Sequence, residues 1–272
     1  MKKVLIYTFI IILAVIVVCV AVVETLIVRV ELPHGAVLSV LPAPKDNQTH
    51  GAVILFPGGG YGSVKKWYEG YWWFPFYYSR GYTVAVLDYR LPNHDHRIPM
   101  VDGAEAVQLM RARAEEWNYD RNNVGVMGFS AGGHLASFLM VSDSASVRPD
   151  FGILFYPVIS MTKELVHRDS HYHLFGENAS EELEYRYSNE LHVSDLTPPA
   201  YIALSSDDPE VKPQHSIRFQ EEMRAKNRPV ELHVYPSGGH GWGYNLSFTY
   251  HQQMLDDLED WLRNRQMSKN KE

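Results

Sequence analysis

The feature that most constrains the fold is the pentapeptide Gly-Phe-Ser-Ala-Gly at residues 128–132, with Ser130 at its centre. An unbroken apolar run at residues 124–127 precedes it, and residues 134–141 follow it with a helical composition. A strand that turns into a helix within so few residues strains the backbone of the serine and exposes its hydroxyl. The flanking glycines have no Cβ to collide with such a turn. The pattern therefore predicts a nucleophilic Ser130 at the end of a strand.

Strand-like and helix-like segments alternate along the chain. Short apolar runs predict buried strands at residues 52–56, 83–87, 124–127, 151–156, 200–204 and 230–235, after two β segments at 26–32 and 36–41. Helical patterns occur at residues 72–79, 100–117, 131–141, 215–226 and 248–265. This alternation predicts one α/β domain over residues 24–272, with a mostly parallel central sheet and helices on both faces. Residues 157–199 are interpreted as a loop-rich insertion.

A serine hydroxyl becomes a nucleophile when a neighbouring base takes its proton. After this type of turn, the acid and then the histidine are expected later in the chain. His240 lies in a glycine-flanked loop after the last predicted strand and is the candidate base. Asp207 and Asp208 both follow the preceding strand, and the acid would orient the imidazole. We favour Asp208, which has Val211 three residues later, and Asp207 remains the alternative.

The backbone supplies candidate donors to a negatively charged oxygen of a reacting substrate. The N–H of Ala131 lies at the start of the predicted helix and points toward that oxygen. A second donor is expected from the loop after an early strand, where residues 57–61 read Pro-Gly-Gly-Gly-Tyr. Gly59 and Gly60 are the candidates. A phosphate-binding loop is disfavoured, because no Gly-Lys-Ser/Thr follows and no G-x-G-x-x-G opens a helix.

These motifs resemble those of the α/β-hydrolases, in the esterase and lipase group with a glycine-rich loop. More closely, the chain is similar to bacterial acetyl-esterases of the acetyl-xylan-esterase-like branch. The resemblance runs from about residue 35 to about residue 265. The matching stretches are Pro57-Gly58-Gly59-Gly60-Tyr61, Glu69-Gly70, Tyr89-Arg90-Leu91-Pro92, the stretch at 125–136, Pro198-Pro199, Asp207-Asp208-Pro209 and His240-Gly241.

The resemblance implies a serine carboxylic-ester hydrolase that works through an acyl-enzyme, without a metal or an organic cofactor. It implies a small-molecule or carbohydrate ester as the substrate, above all an acetyl ester, with esters on plant polysaccharide such as xylan included. The implied residues are Ser130 as nucleophile, His240 as base, Asp208 as acid, and Ala131 with Gly59 or Gly60 as the oxyanion hole. The D-x-x-V pattern at Asp208 matches the acid loop of such hydrolases, but Lys212 stands where this branch often has proline.

Three alternative functions use the same fold. A lipase would carry the same three residues, but no long apolar lid segment is visible after residue 23. A small serine peptidase is a second alternative, although such enzymes usually carry a large β-propeller for which this chain has no room. A non-catalytic binding protein is a third, and it would be expected to have lost one of the three residues.

The first 23 residues have a different composition from the rest. Residues 4–23 are apolar apart from Thr8, and Lys2 and Lys3 precede them. Twenty such residues suffice to cross a bilayer as a helix, and the lysines resemble the start of a secretory signal. Residues 1–23 are therefore predicted to be a signal peptide or an uncleaved membrane anchor, with lipidation of Cys19 as a third alternative. The rest of the chain is expected outside the cytoplasm, with membrane contact only through residues 4–23.

Charge and cysteine content exclude several other classes. The net charge is −7 and no long basic tract is present, so nucleic acid is not an expected partner. The single cysteine excludes an internal disulfide framework and a cysteine-based metal site.

Three further features are given structural interpretations. A zinc site at His167, His171 and His173 would need outer residues that hold the histidine ligands in place, and the sequence shows none, so these histidines are expected on a polar surface. The aromatic segment 67–78 is expected to be mainly buried, with part of it lining a substrate pocket, and Asp102 is expected near a helix N-terminus.

Overall fold

The computed structural model describes residues 25–44 and 51–269. Eight strands form one sheet in the order β1-β2-β4-β3-β5-β6-β7-β8. They span Val28–Glu31 (β1), Val37–Leu41 (β2), Ala52–Phe56 (β3), Thr83–Asp88 (β4), Val124–Phe129 (β5), Phe151–Phe155 (β6), Ala200–Ser205 (β7) and Val230–Tyr235 (β8). The pairs β1–β2 and β2–β4 are antiparallel, and all other neighbours are parallel. The predicted mostly parallel sheet is confirmed.

Helices occupy most of the connections between the strands. The α-helices are Phe74–Tyr78 (α1), Arg97–Ala112 (α2), Ala131–Met140 (α3), Arg168–Phe175 (α4), Glu181–Arg186 (α5), Gln214–Ala225 (α6) and His251–Lys269 (α7). Two short 3-10 helices lie at Tyr71–Trp73 and Asn189–His192.

The hydrophobic core consists of two layers, one on each face of the sheet. Along β3 the side chains alternate, so that Ile54 joins one layer while Val53 and Leu55 join the other. Helices α2, α3 and α6 supply buried side chains to the layer of Ile54, and α1 and α7 supply them to the opposite layer. All five residues of β3 are buried because both faces are covered, which is why the sequence reads as an unbroken apolar run.

The structure corrects several predicted boundaries. Helix α2 begins at Arg97, three residues before the predicted start, because Pro99 is tolerated within a first helical turn. Asp102 is therefore an interior residue of α2 and not an N-terminal one; its carboxylate pairs with Arg90. The stretch 157–199 contains α4, α5 and a 3-10 helix, and most of its residues lie outside helices and strands, as the loop-rich interpretation predicts.

The predicted signal peptide or anchor at 1–23, together with Cys19, lies outside the described residues. Within residues 25–44 and 51–269, no helix is both long enough and apolar enough to span a membrane.

Candidate active site

Ser130 lies in the turn that joins β5 to α3, as predicted. Its backbone has φ 51° and ψ −118°, a conformation that a residue with a side chain rarely adopts. The flanking glycines are required by close packing. A Cβ on Gly132 would lie 1.9 Å from the carbonyl oxygen of Phe56, and one on Gly128 would lie 2.2 Å from that of Gly132. The turn therefore depends on glycine for space and places Ser130 at the carboxyl end of β5.

His240 reaches Ser130 from the segment that we call the histidine loop, residues 236–243, between β8 and α7. Its Nε2 lies 2.9 Å from Oγ of Ser130, and its Nδ1 lies 2.7 Å from Oδ2 of Asp208. An ionised carboxylate only accepts hydrogen bonds, so Nδ1 carries the hydrogen toward Asp208. Nε2 is then left without a hydrogen and accepts from the Ser130 hydroxyl. This arrangement allows the imidazole to take the serine proton.

The two adjacent aspartates have different partners. Oδ1 of Asp208 accepts the backbone N–H of Val211 at 2.9 Å, which leaves Oδ2 directed at His240. The carboxylate of Asp207 instead accepts the backbone N–H groups of Gly238 and Gly239. Asp208 is thus the aspartate that contacts the histidine, while Asp207 holds the start of the histidine loop. The bond to Val211 gives a physical reason for the D-x-x-V spacing.

The candidate oxyanion donors lie beside Ser130. We call residues 57–61 the glycine loop; within it Gly59 and Gly60 have φ values of +123° and +61°, which favour glycine, and both line the cavity at Ser130. Ala131 is the first residue of α3, where the helical N–H groups have no intrahelical acceptor. Among residues 25–44 and 51–269, the N–H groups of Gly59, Gly60 and Ala131 have no hydrogen-bond partner. They remain free to bind an oxygen of a substrate.

Ser130 and His240 open into a cavity of about 430 Å³. The walls of the cavity are mostly polar. The aromatic segment 67–78 contributes Tyr68 to them. Elsewhere in that segment, Trp73, Phe74 and Tyr77 lie in the core. The prediction that part of this segment lines a pocket thus holds for Tyr68. The lining residues are Gly59, Gly60, Ser63, Lys65, Tyr68, Glu69, Ser130, His167, Asp169, His173, Glu210, His240 and Gly241.

The three histidines of the insertion have separate roles. His167 caps α4, where its Nδ1 accepts the backbone N–H of Ser170, so its Nε2 carries the hydrogen. Burial, and then the nearby His240, lower the pKa of His167 and keep it neutral. His171 contacts Glu184, and His173 contacts the backbone of α4. In the part of the chain that the structure describes, no group of three potential ligands could hold a metal ion.

The sequence motifs assigned no role to two residues of the site. Glu69 is buried, and its Oε2 accepts the N–H of Gly58 at 2.8 Å while its Oε1 accepts the Tyr156 hydroxyl at 2.8 Å. Burial raises the pKa of Glu69, and these two hydrogen bonds oppose that effect. Tyr156 directly follows β6, and its ring meets His240 edge-on at 4.8 Å. Its position after a fully apolar parallel strand was the available signal, since such strand ends meet at one edge of the sheet.

Comparisons with known proteins identify the fold family. A family model described as alpha/beta hydrolase fold matches residues 78–243. An acetylxylan esterase of Xylanibacter ruminicola is 39% identical over 80% of this chain and 46% of its own length. The endo-1,4-beta-xylanase B of Butyrivibrio fibrisolvens is 33% identical over 72% of this chain and 33% of its own length. The chain thus spans less than half the length of these two curated relatives.

One solved structure matches the fold over most of both chains. The acetyl ester-xyloside bifunctional hydrolase of Caldicellulosiruptor lactoaceticus superposes with a TM-score of 0.78 and 33% identity, over 84% of this chain and 88% of that one. The family model covers more than half of the sequence, and it includes the turn at Ser130 and the loops of Asp208 and His240. The chain belongs to the α/β-hydrolase fold family.

Proposed function

We propose that this chain is a serine esterase that cleaves carboxylic esters through an acyl-enzyme. The observation that carries the proposal is the continuous contact from Asp208 through His240 to Ser130, with distances of 2.7 and 2.9 Å, at the floor of an open cavity. A nucleophile, a base and an acid in hydrogen-bond reach of one another are what acyl transfer requires. The relative named as an acetylxylan esterase supports the same activity.

The acylation step uses the geometry directly. Nε2 of His240 takes the Ser130 proton while Oγ forms a bond to the ester carbonyl carbon, and the carbonyl oxygen becomes negatively charged. The N–H groups of Ala131 and of Gly59 or Gly60 stabilise this oxyanion. Asp208 stabilises the protonated imidazole and holds its orientation. When the carbonyl forms again, the bond to the alcohol oxygen breaks, and that oxygen takes the proton from Nε2.

Deacylation repeats the route with water. Nε2 of His240 takes a proton from the water as its oxygen attacks the acyl carbon, and the same N–H groups stabilise the second oxyanion. The bond between the acyl carbon and Oγ then breaks. The carboxylic acid leaves, and Oγ of Ser130 recovers its proton from Nε2, so that the enzyme returns to its starting state.

The cavity favours a small acyl group on a polar alcohol. Lys65, Asp169 and Glu210 bring charged groups to its walls, and these disfavour a long hydrocarbon chain because their desolvation costs free energy. A sugar presents hydroxyls that hydrogen-bond to such groups. We therefore propose an acetyl ester on a carbohydrate as the substrate class, which agrees with the names of the xylan-related relatives.

The test compares p-nitrophenyl acetate, butyrate and octanoate with the full-length protein and Ser130→Ala. We expect turnover to fall from acetate to octanoate, and the alanine variant to lose at least about 10³-fold in kcat. Full turnover by Ser130→Ala would reject the mechanism, and a rate that rises toward octanoate would favour a lipase. No turnover with any ester by the folded wild-type protein would favour a peptidase or a binding protein.

We further propose, from the sequence alone, that the protein acts outside the cytoplasm. Residues 4–23 carry this proposal through their length and uniform apolarity. Cell fractionation followed by N-terminal sequencing tests it. A shortened chain outside the cytoplasm indicates a cleaved signal peptide, and the full chain in the membrane fraction indicates an anchor. The full chain in the cytosolic fraction would contradict the proposal.

A further inference from the structure

The buried carboxylate of Glu69 joins the two loops on which the proposed chemistry depends. Its Oε2 accepts the N–H of Gly58 in the glycine loop at 2.8 Å. Its Oε1 accepts the hydroxyl of Tyr156 at 2.8 Å, and the Tyr156 oxygen in turn accepts the N–H of Gly243 in the histidine loop at 2.8 Å. A continuous hydrogen-bonded path thus runs from the glycine loop to the histidine loop.

One set of donors lets every hydrogen in the path find an acceptor. Both backbone N–H groups must donate, so the Tyr156 oxygen accepts from Gly243 and its own hydrogen goes to Glu69. Glu69 therefore accepts at both oxygens, as an ionised carboxylate does. A protonated carboxylic acid would instead donate to the Tyr156 oxygen, which would then accept twice and leave the tyrosine hydrogen without an acceptor in the path.

Fold stability alone does not explain a carboxylate at this position. Glu69 is 2% exposed, and burial of a charge costs free energy unless partners compensate. Among the described residues, Glu69 makes no ion pair within 4 Å. Its two partners in the path are neutral, and a neutral acceptor would satisfy either of them. The negative charge therefore has a use other than the two hydrogen bonds, and the charge that develops nearby is on His240.

Tyr156 brings the path into contact with His240. The ring centroids of Tyr156 and His240 lie 4.8 Å apart in an edge-on arrangement. The hydrogen bond to Glu69 therefore fixes the tyrosine ring against which the imidazole packs. Glu69 also lines the same cavity as Ser130 and His240. Because Glu69 and His240 line one partly buried site, the carboxylate attracts a positively charged imidazole.

We propose that Glu69 is a positioning residue of the esterase site, which aligns the glycine loop with the histidine loop and stabilises the protonated form of His240. This inference rests on the proposed esterase function. Glu69 touches neither Ser130 nor the reacting atoms, so it acts through Gly58 and Tyr156. In both acylation and deacylation, His240 is protonated while the oxyanion exists. The Glu69 carboxylate attracts the positive charge of the imidazole in those states.

Other charged and titratable groups also face Glu69 and His240. All of these groups are present in both the wild type and Glu69→Gln, so a difference between those two proteins reports the Glu69 charge. The groups near Glu69 are Lys65, Tyr68, Tyr89, Tyr156 and His240, and those near His240 are Asp208, His167 and Tyr156.

The experiment measures kcat and KM for p-nitrophenyl acetate from pH 5 to 9 with full-length Glu69→Gln. The glutamine oxygen can still accept from Gly58, but the negative charge is gone. We expect kcat to fall by about 10- to 100-fold with a smaller change in KM, because protonated His240 loses its attraction to the carboxylate and the Tyr156 hydrogen loses its acceptor. We also expect the acidic limb of kcat/KM to move to lower pH by about 0.5 unit or more, because the imidazole holds its proton less tightly.

Two further variants separate charge from structure. Tyr156→Phe keeps the Glu69 charge but cuts the path to Gly243, so kcat should fall by about 3- to 10-fold while the acidic limb stays in place. Glu190→Gln is the matched control, since Glu190 is also a buried glutamate whose pKa burial raises, and it lies outside the cavity wall. Its acidic limb should match that of the wild type.

The outcomes distinguish a failure of the Glu69 inference from a failure of the proposed esterase function. Wild-type kcat and an unmoved acidic limb in Glu69→Gln would overturn the inference, as would a Glu190→Gln profile that moves by the same amount. If Glu69→Gln does not fold, Tyr156→Phe decides, and an unchanged kcat in that variant would overturn the inference. A wild-type protein that cleaves no ester would instead refute the proposed function.

Discussion

Nδ1 of His240 lies 2.7 Å from Oδ2 of Asp208. The side chains of both residues are almost fully shielded from solvent, so the contact is not weakened by competing water. The neighbouring carboxylate of Asp207 is exposed and is engaged with the amides of Gly238 and Gly239. Two adjacent aspartates thus differ in partner and in burial, which leads to different expectations for their variants.

Asp208→Asn should lower kcat for p-nitrophenyl acetate by about 10³- to 10⁴-fold, because an amide no longer holds the imidazole with Nε2 free to accept a proton. Asp207→Asn should change kcat by less than about 10-fold, since its single amide oxygen can still accept the closer loop amide, that of Gly239. Steady-state kinetics of the two folded variants make the comparison. Losses of equal size would contradict the assignment of Asp208.

The ion pair between Arg90 and Asp102 is expected to stabilise the fold. Asp102 is fully buried in α2, and its carboxylate accepts the backbone N–H and two guanidinium nitrogens of Arg90. Asp102→Ala removes the acceptor of the Arg90 backbone N–H and of a guanidinium that water can partly reach, and the free energy of unfolding should fall by about 2 kcal/mol in urea titrations. Asp95→Ala is the control, because its pair with Arg97 is exposed and should contribute less than about 1 kcal/mol. A loss at Asp102 no larger than at Asp95 would refute the prediction.

Two buried histidines should make the fold sensitive to acid. Burial lowers the pKa of His134 to about 4 and that of His215 to about 3. In the unfolded chain both histidines take protons near pH 6.5. Between pH 6.5 and about 4, the unfolded state therefore binds more protons than the folded state, and stability is lost as the pH falls through this window.

Urea titrations at pH 7, 6 and 5 measure this loss. Each histidine should contribute up to about 1.4 kcal/mol per pH unit below pH 6.5. His134 bonds to the Tyr61 hydroxyl and to the carbonyl of Tyr187, and glutamine offers a similar donor and acceptor without titrating. His134→Gln is expected to be less stable at pH 7 but to show a shallower pH dependence. An equally steep dependence in that variant would show that His134 is not responsible.

Gly132→Ala should disrupt the turn at Ser130. The new Cβ would lie 1.9 Å from the carbonyl oxygen of Phe56, and this neighbour is backbone, so α3 must move away from β3. We expect a loss of at least about 3 kcal/mol in stability, together with a loss of ester hydrolysis. Gly35→Ala is the control, because nothing lies near its Cβ; the positive φ of Gly35 alone should cost about 1 kcal/mol. Similar losses in both variants would argue against the steric explanation.

The strands were predicted from sequence more accurately than the helices. β3 and β8 have the predicted bounds, because both ends of these segments coincide with a change from apolar residues to turn residues. The start of helix α2 and the short helices of the insertion were missed for different reasons. Pro99 indicates a boundary in sequence but is tolerated in a first turn. The short helices α4 and α5 are capped by His167 and Ser180, and they carry too few turns for a clear periodicity.

The sequence by itself determined the fold class and the residue types of the site, because alternating strands and helices and a Gly-x-Ser-x-Gly turn are local patterns. Contacts between distant segments were decided only by the tertiary structure. Asp208 rather than Asp207 meets His240 because the bond to Val211 directs one carboxylate oxygen away from the histidine and leaves the other aimed at it. The role of Glu69 was likewise invisible in sequence, since Gly58, Tyr156 and Gly243 come together only when separate strand ends meet at one edge of the sheet.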